Sequence, residues 1–562
     1  MRFLLCFVAS LVLLQPGWGA RQPVRAKRAM VVTVEPHATD IGVEVLKSGG
    51  NAVDAAVAVG FALAVTHPSA GNLGGGGFML VRFADGRTNF IDFRERAPAA
   101  ATRDMYLDAN GKPTDESIVG YRAAGVPGTV RGLEFAHRKY GKKTWTELVA
   151  PARDLATKGF PISFGLAGAL RSKRDVLSRF PDSKRIFLRD GRFYEPGDLL
   201  VQPDLARTLE RIRLQGSKDF YEGETARLIA EDMRAHGGLI TVDDLQNYKI
   251  VERQPMTGSY RGFDIITAPL PSSGGIGLLQ MLGVLEKSAY EKAGAGSAAT
   301  IHPMVETMRH FFADRSEFLG DSDFVSVPVS RLLDPNYIAA IRRSIDENRA
   351  TPSVKVRPGK AGPEESPQTT HYTIADAEGN VVAVTYTLNG GFGSGVTASR
   401  LGFLLNNEMD DFSAKPGAAN MYGVVQGEAN AIQPNKHPLS AMTPTIVLRR
   451  GQFYFALGSP GGPTIINTVL QTIVNVLDFK MNIQQAVDWP RFHHQWLPDE
   501  LRMEPGFSPD TMAILEARGH KIRLVNAQGL AISQGEVAAI LSDGGWLQGA
   551  ADGRSEGTAK GF

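Results

Sequence analysis

The 562-residue chain has little cysteine, little net charge and no long apolar run after its first residues. Its only cysteine is Cys6, which rules out a disulfide within the chain. Lys and Arg total 61 against 59 Asp and Glu, a formal net charge of +2, so the composition does not favour a nucleic-acid partner. No later stretch has the roughly 18 apolar residues of a membrane-spanning helix. A hydrophobic fraction of 43% instead favours a globular protein without a membrane anchor.

The first 19 residues have the pattern of a secretory signal peptide. Arg2 gives a positive start, residues 3–14 form an apolar run too short to cross a bilayer, and residues 17–19 form a small-x-small cleavage site. A buried N-terminal helix is the alternative interpretation. Because Cys6 would be removed with the signal, the mature protein would contain no thiol. Export without cysteine favours the periplasm of a Gram-negative bacterium over an animal secretory route.

The sequence also lacks the patterns of a metal or phosphate site. His493 and His494 are adjacent, and no histidine pair has ligand spacing. The glycine run at 74–77 is not followed by Gly-Lys-Ser/Thr, so it is not a phosphate loop, and a tight packing turn beneath a site is favoured. We therefore predict no cofactor and no metal.

Strand-like segments lie toward both ends of the chain and helical ones in the middle. This layering predicts an α+β fold and not alternating βαβ units. The predicted elements are a buried Ala/Val-rich helix at 51–66, a hairpin at 78–83 and 88–94, mostly helices over 144–349 interrupted by a strand at 260–268, an irregular linker at 351–367, mostly strands from 369 on, a helix at 463–479 and a last hairpin closing at 542–545.

Thr369 stands where the charged, proline-containing linker gives way to a strand. An internal threonine hydroxyl is a poor nucleophile. If the chain were cut after Gln368, however, Thr369 would carry a free α-amine beside its own hydroxyl, which is a self-contained nucleophile–base pair. An ordinary strand threonine is the competing interpretation.

A second threonine is predicted to face Thr369. Segments 369–375 and 381–387 read as strands joined by a five-residue turn, Asp-Ala-Glu-Gly-Asn. A hairpin symmetric about Glu378 pairs Thr369 with Thr387, at a Cβ separation of about 4.5–5.5 Å. Thr370 would instead pair with Tyr386. The symmetry therefore favours Thr369 as the functional residue.

Two further segments are candidates for parts of a site. Gly461 and Gly462 precede Pro463 at the start of an apolar helix, where free N–H groups could stabilise an oxyanion. A plain strand–helix turn explains the same residues. The acidic segment 406–412 follows a strand and could hold an ammonium group, or it could be a solvated turn.

Nine motifs together resemble those of bacterial γ-glutamyltranspeptidases, also called glutathione hydrolases. They are GNLGGGGFM (71–79), DFRERAP (92–98), PSSGGI (271–276), QTTHY (368–372), TYTLN (385–389), LLNNEMDDFSAKPG (404–417), PLSAMTPT (438–445), GSPGG (458–462) and PRFHHQWLPDEL (490–501). The family belongs to the N-terminal-nucleophile hydrolases. The resemblance implies a four-layer αββα sandwich, one intertwined domain built from two autoprocessed subunits. The cut would fall between Gln368 and Thr369, giving a large subunit of residues 20–368 and a small subunit of 369–562.

The resemblance also assigns catalytic roles. Thr369 is implied to be the nucleophile of self-cleavage and of turnover, and Thr387 to orient it. Gly461 and Gly462 are implied to form the oxyanion hole. Glutathione or another γ-glutamyl compound is the implied donor, forming a γ-glutamyl ester that passes to water or to an amino acid or dipeptide acceptor.

Substrate-binding roles follow from the same resemblance. Arg94 would hold the α-carboxylate of the γ-glutamyl group, a bidentate task suited to guanidinium, with a hydrogen bond from Ser440. The residues implied to bind the α-ammonium are Asn389, Glu408 and Asp411.

Three positions refine this assignment. Bacterial relatives commonly carry Gln where this chain has Glu408, and many have a second Ser where it has Ala441. Loss of that hydroxyl would cost one hydrogen bond to the carboxylate unless the backbone amide serves alone. Residues 415–431 resemble the lid loop of the family, with Tyr422 as the gate.

Two rival functions stay open. One is another N-terminal-nucleophile amidase, such as a cephalosporin (glutaryl) acylase. Arg94 together with Glu408 and Asp411 argues against it, because a glutaryl group has no α-ammonium. The other is a non-catalytic secreted relative with the same fold.

Overall fold

The computed structural model describes residues 21–356, 369–525 and 534–562. None of the helices in these ranges is long and apolar enough to cross a membrane. The helices are α1 Pro36–Lys47, α2 Ala52–Thr66, α3 Thr129–Tyr140, α4 Trp145–Lys158, α5 Phe164–Ser172, α6 Arg174–Leu177, α7 Pro181–Leu188, α8 Pro203–Gln215, α9 Ser217–Glu222, α10 Glu224–Ala235, α11 Val242–Gln246, α12 Gly274–Glu286, α13 Ala298–Phe318, α14 Val329–Leu332, α15 Pro335–Ser344, α16 Ser353–Val356, α17 Thr464–Leu477, α18 Ile483–Asp488 and α19 Pro509–Ala517.

The strands form two large sheets and two small ones. They are β1 Val24–Ala26, β2 Met30–Thr33, β3 Gly76–Arg82, β4 Thr88–Phe93, β5 Phe160–Pro161, β6 Leu199–Leu200, β7 Val251–Arg253, β8 Met256–Tyr260, β9 Phe263–Thr267, β10 Thr370–Ala375, β11 Val381–Thr387, β12 Thr445–Arg449, β13 Gln452–Gly458, β14 Phe492–His493, β15 Leu501–Met503, β16 Ile522–Leu524, β17 Ala538–Asp543, β18 Trp546–Ala551 and β19 Thr558–Gly561.

Each large sheet has seven antiparallel strands and takes them from both sides of the predicted cut. The first sheet has the order β19-β2-β10-β11-β3-β4-β7, and the second has the order β1-β18-β17-β13-β12-β9-β8. Both sheets contain strands from before residue 357 and strands from after residue 368. The two parts of the chain therefore share one core, as the resemblance implies.

The two sheets pack face to face between helical layers. Phe78 and Leu80 of the first sheet share one buried core with Leu457 and Ile540 of the second. Helices α1, α2 and α3 cover the outer face of the first sheet, and α12 and α17 cover the second. All residues of α2 are buried, as its dense apolar sequence predicts. The αββα sandwich is thereby confirmed.

The central hairpin has the predicted register. Thr370 pairs with Tyr386 and His371 with Thr385 across β10 and β11. The side chain of Asp376 fixes the turn, because its Oδ1 accepts hydrogen bonds from the N–H groups of Glu378 and Asn380, each at 2.9 Å. Thr369 immediately precedes β10 and lies opposite Thr387.

One predicted strand begins at a later residue than expected. Residues 260–268 form two elements and not one, because Tyr260 ends β8 and Phe263 begins β9. The turn between them has Arg261 at φ 51° and Gly262 at φ 81°. Positive φ at both central residues is the backbone of a two-residue hairpin turn of type I′. Arg-Gly is an uncommon sequence for this turn, so the signal was missed.

Candidate active site

The structure brings the two predicted threonines together. The hydroxyl oxygens of Thr369 and Thr387 lie 3.3 Å apart, within hydrogen-bond distance. The N–H of Asn389 donates to the Thr387 hydroxyl at 2.8 Å, which fixes its orientation. Both threonines are buried and line one cavity. Gln368, the other side of the predicted cut, lies outside the described residues.

The glycine run at 74–77 packs directly against the backbone of Thr387. A Cβ on Gly75 would lie 2.0 Å from the Thr387 carbonyl oxygen, so only glycine fits there. That same oxygen accepts a hydrogen bond from Asn72 Nδ2 at 2.9 Å. The prediction of a packing turn beneath a site is therefore confirmed.

His371 is a buried histidine within β10, two residues after Thr369. The ring nitrogens of His371 lie 2.7 Å and 3.0 Å from the hydroxyls of Thr385 and Thr373. Burial lowers the pKa of His371 to about 3, so the ring is neutral at physiological pH. A Cβ on Gly458 would come within 2.3 Å of this ring. Glycine at 458 thus lets the end of β13 approach β10.

The Gly-Gly turn before α17 presents free amides. Gly461 has φ 136° and Gly462 has φ 53°, conformations that favour glycine. The Gly461 carbonyl accepts from the Thr464 N–H at 3.1 Å and from its hydroxyl at 2.8 Å. Within the described ranges, neither glycine N–H has a hydrogen-bond partner. Gly462 lines the cavity with Thr369, and Gly461 is buried immediately behind it.

Arg94 stands at the charged end of the cavity between two carboxylates. Its Nη1 donates to Glu408 Oε1, its Nη2 donates to Asp411 Oδ2 at 2.6 Å, and its Nε donates to the Pro438 carbonyl at 3.3 Å. Burial opposes the charge on Arg94, but Glu408 and Asp411 outweigh it and raise its pKa. The guanidinium is therefore permanently positive beside two acids.

Ser440, Ala441 and Asn389 form further walls of the cavity. The Ser440 hydroxyl accepts from the Met442 N–H at 3.1 Å. Asn389 has φ 71°, a left-handed conformation that asparagine tolerates better than most residues. Its Nδ2 donates to the Asn407 carbonyl at 2.9 Å.

The loop at 415–431 closes over the cavity. The Tyr422 hydroxyl donates to the Asn389 carbonyl at 2.7 Å, and the Tyr422 carbonyl accepts from Gln495 Nε2 at 3.1 Å. Asn420, Tyr422 and Val424 line the cavity from this loop. The cavity volume is about 30 Å³, which leaves room for only a few water molecules.

Sequence reasoning missed two charged groups of the site, Glu95 and Arg315. Arg315 of α13 lines the cavity. It follows Met308, Phe311 and Phe312 at helical spacing, and a charged residue on an apolar helix stripe is the signal that could have found it. Glu95 is fully buried, with its Oε2 3.7 Å from Arg94 Nη1. Neither of its carboxyl oxygens has a hydrogen-bond partner among the described residues.

Burial dominates the protonation of the two glutamates. It raises the pKa of Glu95 from 4.5 to about 7, against the opposing charge of Arg94. It also raises the pKa of Glu408 well above its usual range, again against Arg94. Both glutamates therefore keep a proton to higher pH than an exposed carboxyl group does.

The variant Glu95→Gln should change the pH dependence of stability. The folded protein holds a proton on Glu95 between pH 4.5 and about 7 that the unfolded chain has lost. The unfolding free energy of the wild type should therefore fall as pH rises through this window, and that of Glu95→Gln should fall less. Thermal midpoints measured at pH 5 and pH 8 give the comparison. Glu44→Gln, at an exposed position, is the control, and equal pH slopes for wild type and Glu95→Gln would contradict the prediction.

Two groups of metal-ligand side chains occur elsewhere in the described chain, His302 with Glu306 and His520, and Asp321 with Asp323 and His437. Sequence spacing did not reveal them because the third member of each group, His520 or His437, is distant along the chain from the other two. Protein partners occupy them. His302 Nδ1 and His520 Nε2 lie 2.7 Å apart, and Glu306 accepts from Arg309. Asp321 Oδ2 accepts from the backbone N–H of His437 at 2.9 Å and lies 2.8 Å from the Nδ1 of the same residue.

Comparison with known proteins agrees with this geometry. The family model described as gamma-glutamyltranspeptidase matches residues 38–562. The chain belongs to the gamma-glutamyltranspeptidase family. It is 52% identical to a glutathione hydrolase proenzyme of Escherichia coli (strain K12), over 95% of this chain and 91% of the relative.

Solved structures extend the likeness to the fold. A cephalosporin acylase from Bacillus halodurans superposes with a TM-score of 0.87 at 28% identity, covering 99% of both chains. The gamma-glutamyltranspeptidase of Helicobacter pylori matches with a TM-score of 0.57 at 47% identity, over 58% of this chain and 94% of that chain. The same architecture therefore occurs with more than one acyl specificity, and the residues of the pocket must decide between them.

Proposed function

We propose that this enzyme is a γ-glutamyltransferase and glutathione hydrolase. The observation that carries the proposal is the charge arrangement around Thr369. One cavity holds a nucleophile candidate and a guanidinium flanked by Glu408 and Asp411. An α-amino acid head group carries one carboxylate and one ammonium, and this arrangement complements both. The sequence kinship to glutathione hydrolase proenzymes supports the same assignment.

The active form arises by cleavage between Gln368 and Thr369. The cut separates a large subunit, residues 20–368, from a small subunit, residues 369–562. Both remain associated because each large sheet contains strands of both parts. Cleavage gives Thr369 a free α-amine, which serves as the base for its own hydroxyl.

Turnover begins when the Thr369 hydroxyl attacks the γ-amide carbonyl of the donor. The α-amine takes up the hydroxyl proton, directly or through water, while the Thr387 hydroxyl orients the nucleophile. The N–H groups of Gly461 and Gly462 stabilise the oxyanion. The amine product, which is cysteinylglycine when glutathione is the donor, leaves with the proton and a γ-glutamyl ester remains on Thr369.

Release of the acyl group follows the same steps with a second nucleophile, and the threonine oxygen is now the leaving group. Water attacks the ester carbonyl and gives glutamate, or an amino acid or dipeptide attacks and gives a new γ-glutamyl compound. The attacking group transfers its proton to the α-amine of Thr369, and the threonine oxygen takes it back as it leaves. The oxyanion forms again at Gly461 and Gly462.

The donor head group binds at the charged end of the cavity. Arg94 and Ser440 bind the α-carboxylate, and Asn389, Glu408 and Asp411 bind the α-ammonium. Ala441 offers no side-chain donor, so only its backbone amide can contribute there.

Substrate entry requires movement of Tyr422. With Tyr422 in this position the cavity of about 30 Å³ has room for a few water molecules but not for a γ-glutamyl group. Breaking the hydrogen bond from the Tyr422 hydroxyl to Asn389 opens the cavity on the side of the loop at 415–431.

The competing function is a glutaryl-type acylase, suggested by the similar fold of a cephalosporin acylase. γ-Glutamyl-p-nitroanilide and glutaryl-p-nitroanilide differ only in the α-ammonium. We expect kcat/KM to be about 10- to 100-fold or more higher for the γ-glutamyl compound, because hydrogen bonds to a charged group contribute about 1.5–3 kcal/mol each. Preference for the glutaryl compound would establish the acylase instead, and hydrolysis of neither would favour a non-catalytic relative.

Export is part of the proposal. The charged start, short apolar run and small-residue site in residues 1–19 are those of a signal peptide, although these residues lie outside the described ranges. We place the mature enzyme in the periplasm. N-terminal sequencing of the large subunit would identify the point of removal.

A further inference from the structure

Arg315 is a buried cation that lines the cavity of Thr369 and has no role in the mechanism above. Its side chain is 5% exposed and reaches the cavity from the last turn of α13. Its Nη1 is buried and has no hydrogen-bond partner in the ranges 21–356, 369–525 and 534–562. A buried charged donor without a partner lowers the stability of the fold, so its presence indicates that it binds a ligand.

The guanidinium is held beside Ser440. Arg315 Nε donates to the Ser273 hydroxyl at 3.0 Å. That hydroxyl donates to the Ser440 carbonyl at 2.7 Å, and the Ser273 N–H donates to the same oxygen at 2.8 Å. Arg315 is thus positioned against the segment that contains the proposed carboxylate-binding serine.

The two guanidiniums of the cavity differ in the hydrogen-bond partners of their terminal nitrogens. Arg94 directs both terminal nitrogens to carboxylates, Glu408 and Asp411. The terminal Nη1 of Arg315 has no such partner. Burial lowers the pKa of Arg315 to about 10, with Asp411 opposing the shift and Arg94 adding to it, so the group stays charged at neutral pH.

We propose that Arg315 is a second guanidinium of the donor site, which binds the α-carboxylate of the γ-glutamyl group beside Ser440. This inference rests on the proposed function, since it requires a donor with an α-carboxylate. The carboxylate is the only anionic group of the γ-glutamyl moiety. Binding it gives Arg315 Nη1 an acceptor and supplies a donor near Ala441, where a serine hydroxyl is missing.

The proposal predicts a substrate-selective defect in Arg315→Ala. With γ-glutamyl-p-nitroanilide, KM should rise about 10- to 100-fold with kcat changed little, because one charged contact to the bound group is lost in ground and transition state alike. With 4-aminobutyryl-p-nitroanilide, which keeps the ammonium but lacks the carboxylate, the wild type and Arg315→Ala should have equal kcat/KM. Inhibition by L-glutamate should weaken by the same factor, and inhibition by 4-aminobutyrate should not change.

Two further variants keep this test decisive. Arg315→Lys retains the charge and packs in the same space, so its KM should rise less than that of the alanine variant. Arg343→Ala removes an arginine at an exposed position of α15 and should match the wild type. A denaturing gel showing both subunits verifies that each variant has folded and been cut.

Each outcome has a distinct meaning. Wild type that does not hydrolyse γ-glutamyl-p-nitroanilide overturns the proposed function. If the wild type hydrolyses this compound and KM is unchanged in Arg315→Ala and Arg315→Lys, the role of Arg315 is overturned. Equal losses with and without the carboxylate would show a purely structural arginine and overturn it as well.

Discussion

Thr369→Ala is expected to remain one uncut chain and to lose hydrolysis of γ-glutamyl-p-nitroanilide by about 10⁴-fold or more, the scale seen when a catalytic nucleophile is removed. Alanine has no hydroxyl to attack the preceding peptide bond, so the α-amine at 369 never forms. It also has no hydroxyl to attack a donor. A denaturing gel and the p-nitroaniline assay measure both effects on one preparation.

Two variants separate this effect from damage to the fold. Thr369→Ser retains a hydroxyl and should still be cut and active. Thr370→Val is the matched control one residue away, because the Thr370 hydroxyl is buried without a hydrogen-bond partner among the described residues and valine has the same shape. Thr370→Val should therefore be cut and active. Two subunits in Thr369→Ala, or an uncut Thr370→Val, would refute the assignment.

The hairpin of β10 and β11 could be predicted from sequence because its signals are local. The turn at 376–380 carries Asp, Gly and Asn within five residues, and once the turn is fixed every pair on the two strands follows. The observed pairing of Thr370 with Tyr386 and the 3.3 Å distance between the hydroxyls of Thr369 and Thr387 are the direct consequence. The glycines at 461 and 462 were found for the same reason, since a strand, a Gly-Gly-Pro turn and a helix are adjacent in the chain.

The far wall of the cavity could not be predicted in this way. Arg315 reaches the site through packing of α13 near residues 273 and 440, which are distant in sequence, and no local pattern specifies such a contact. Glu95 adjoins Arg94, but whether it points inward depends on where β4 ends. Periodicity places side chains on a face of an element, whereas the meeting of faces is decided by tertiary packing.

Arg94→Leu is expected to lower kcat/KM for γ-glutamyl-p-nitroanilide by about 10²- to 10⁴-fold, since up to two charged hydrogen bonds of about 1.5–3 kcal/mol each are lost. It should also destabilise the fold by about 3–5 kcal/mol, because Glu408 and Asp411 lose their buried counter-charge. Steady-state kinetics and chemical unfolding measure the two losses separately.

The pH dependence of the Arg94→Leu defect distinguishes charge from packing. The positive charge of Arg94 lowers the pKa of Glu95 and of Glu408, so its removal raises both further above their unfolded values. The folded variant then holds protons that the unfolded chain releases, and its stability should fall more steeply than that of wild type between pH 5 and pH 8. Adding Glu408→Gln removes a buried carboxyl group that can lose its proton only without a counter-charge, and should recover part of the stability at pH 8 without restoring KM. Recovery of both would mean that Arg94 only neutralises the acids and does not bind the donor.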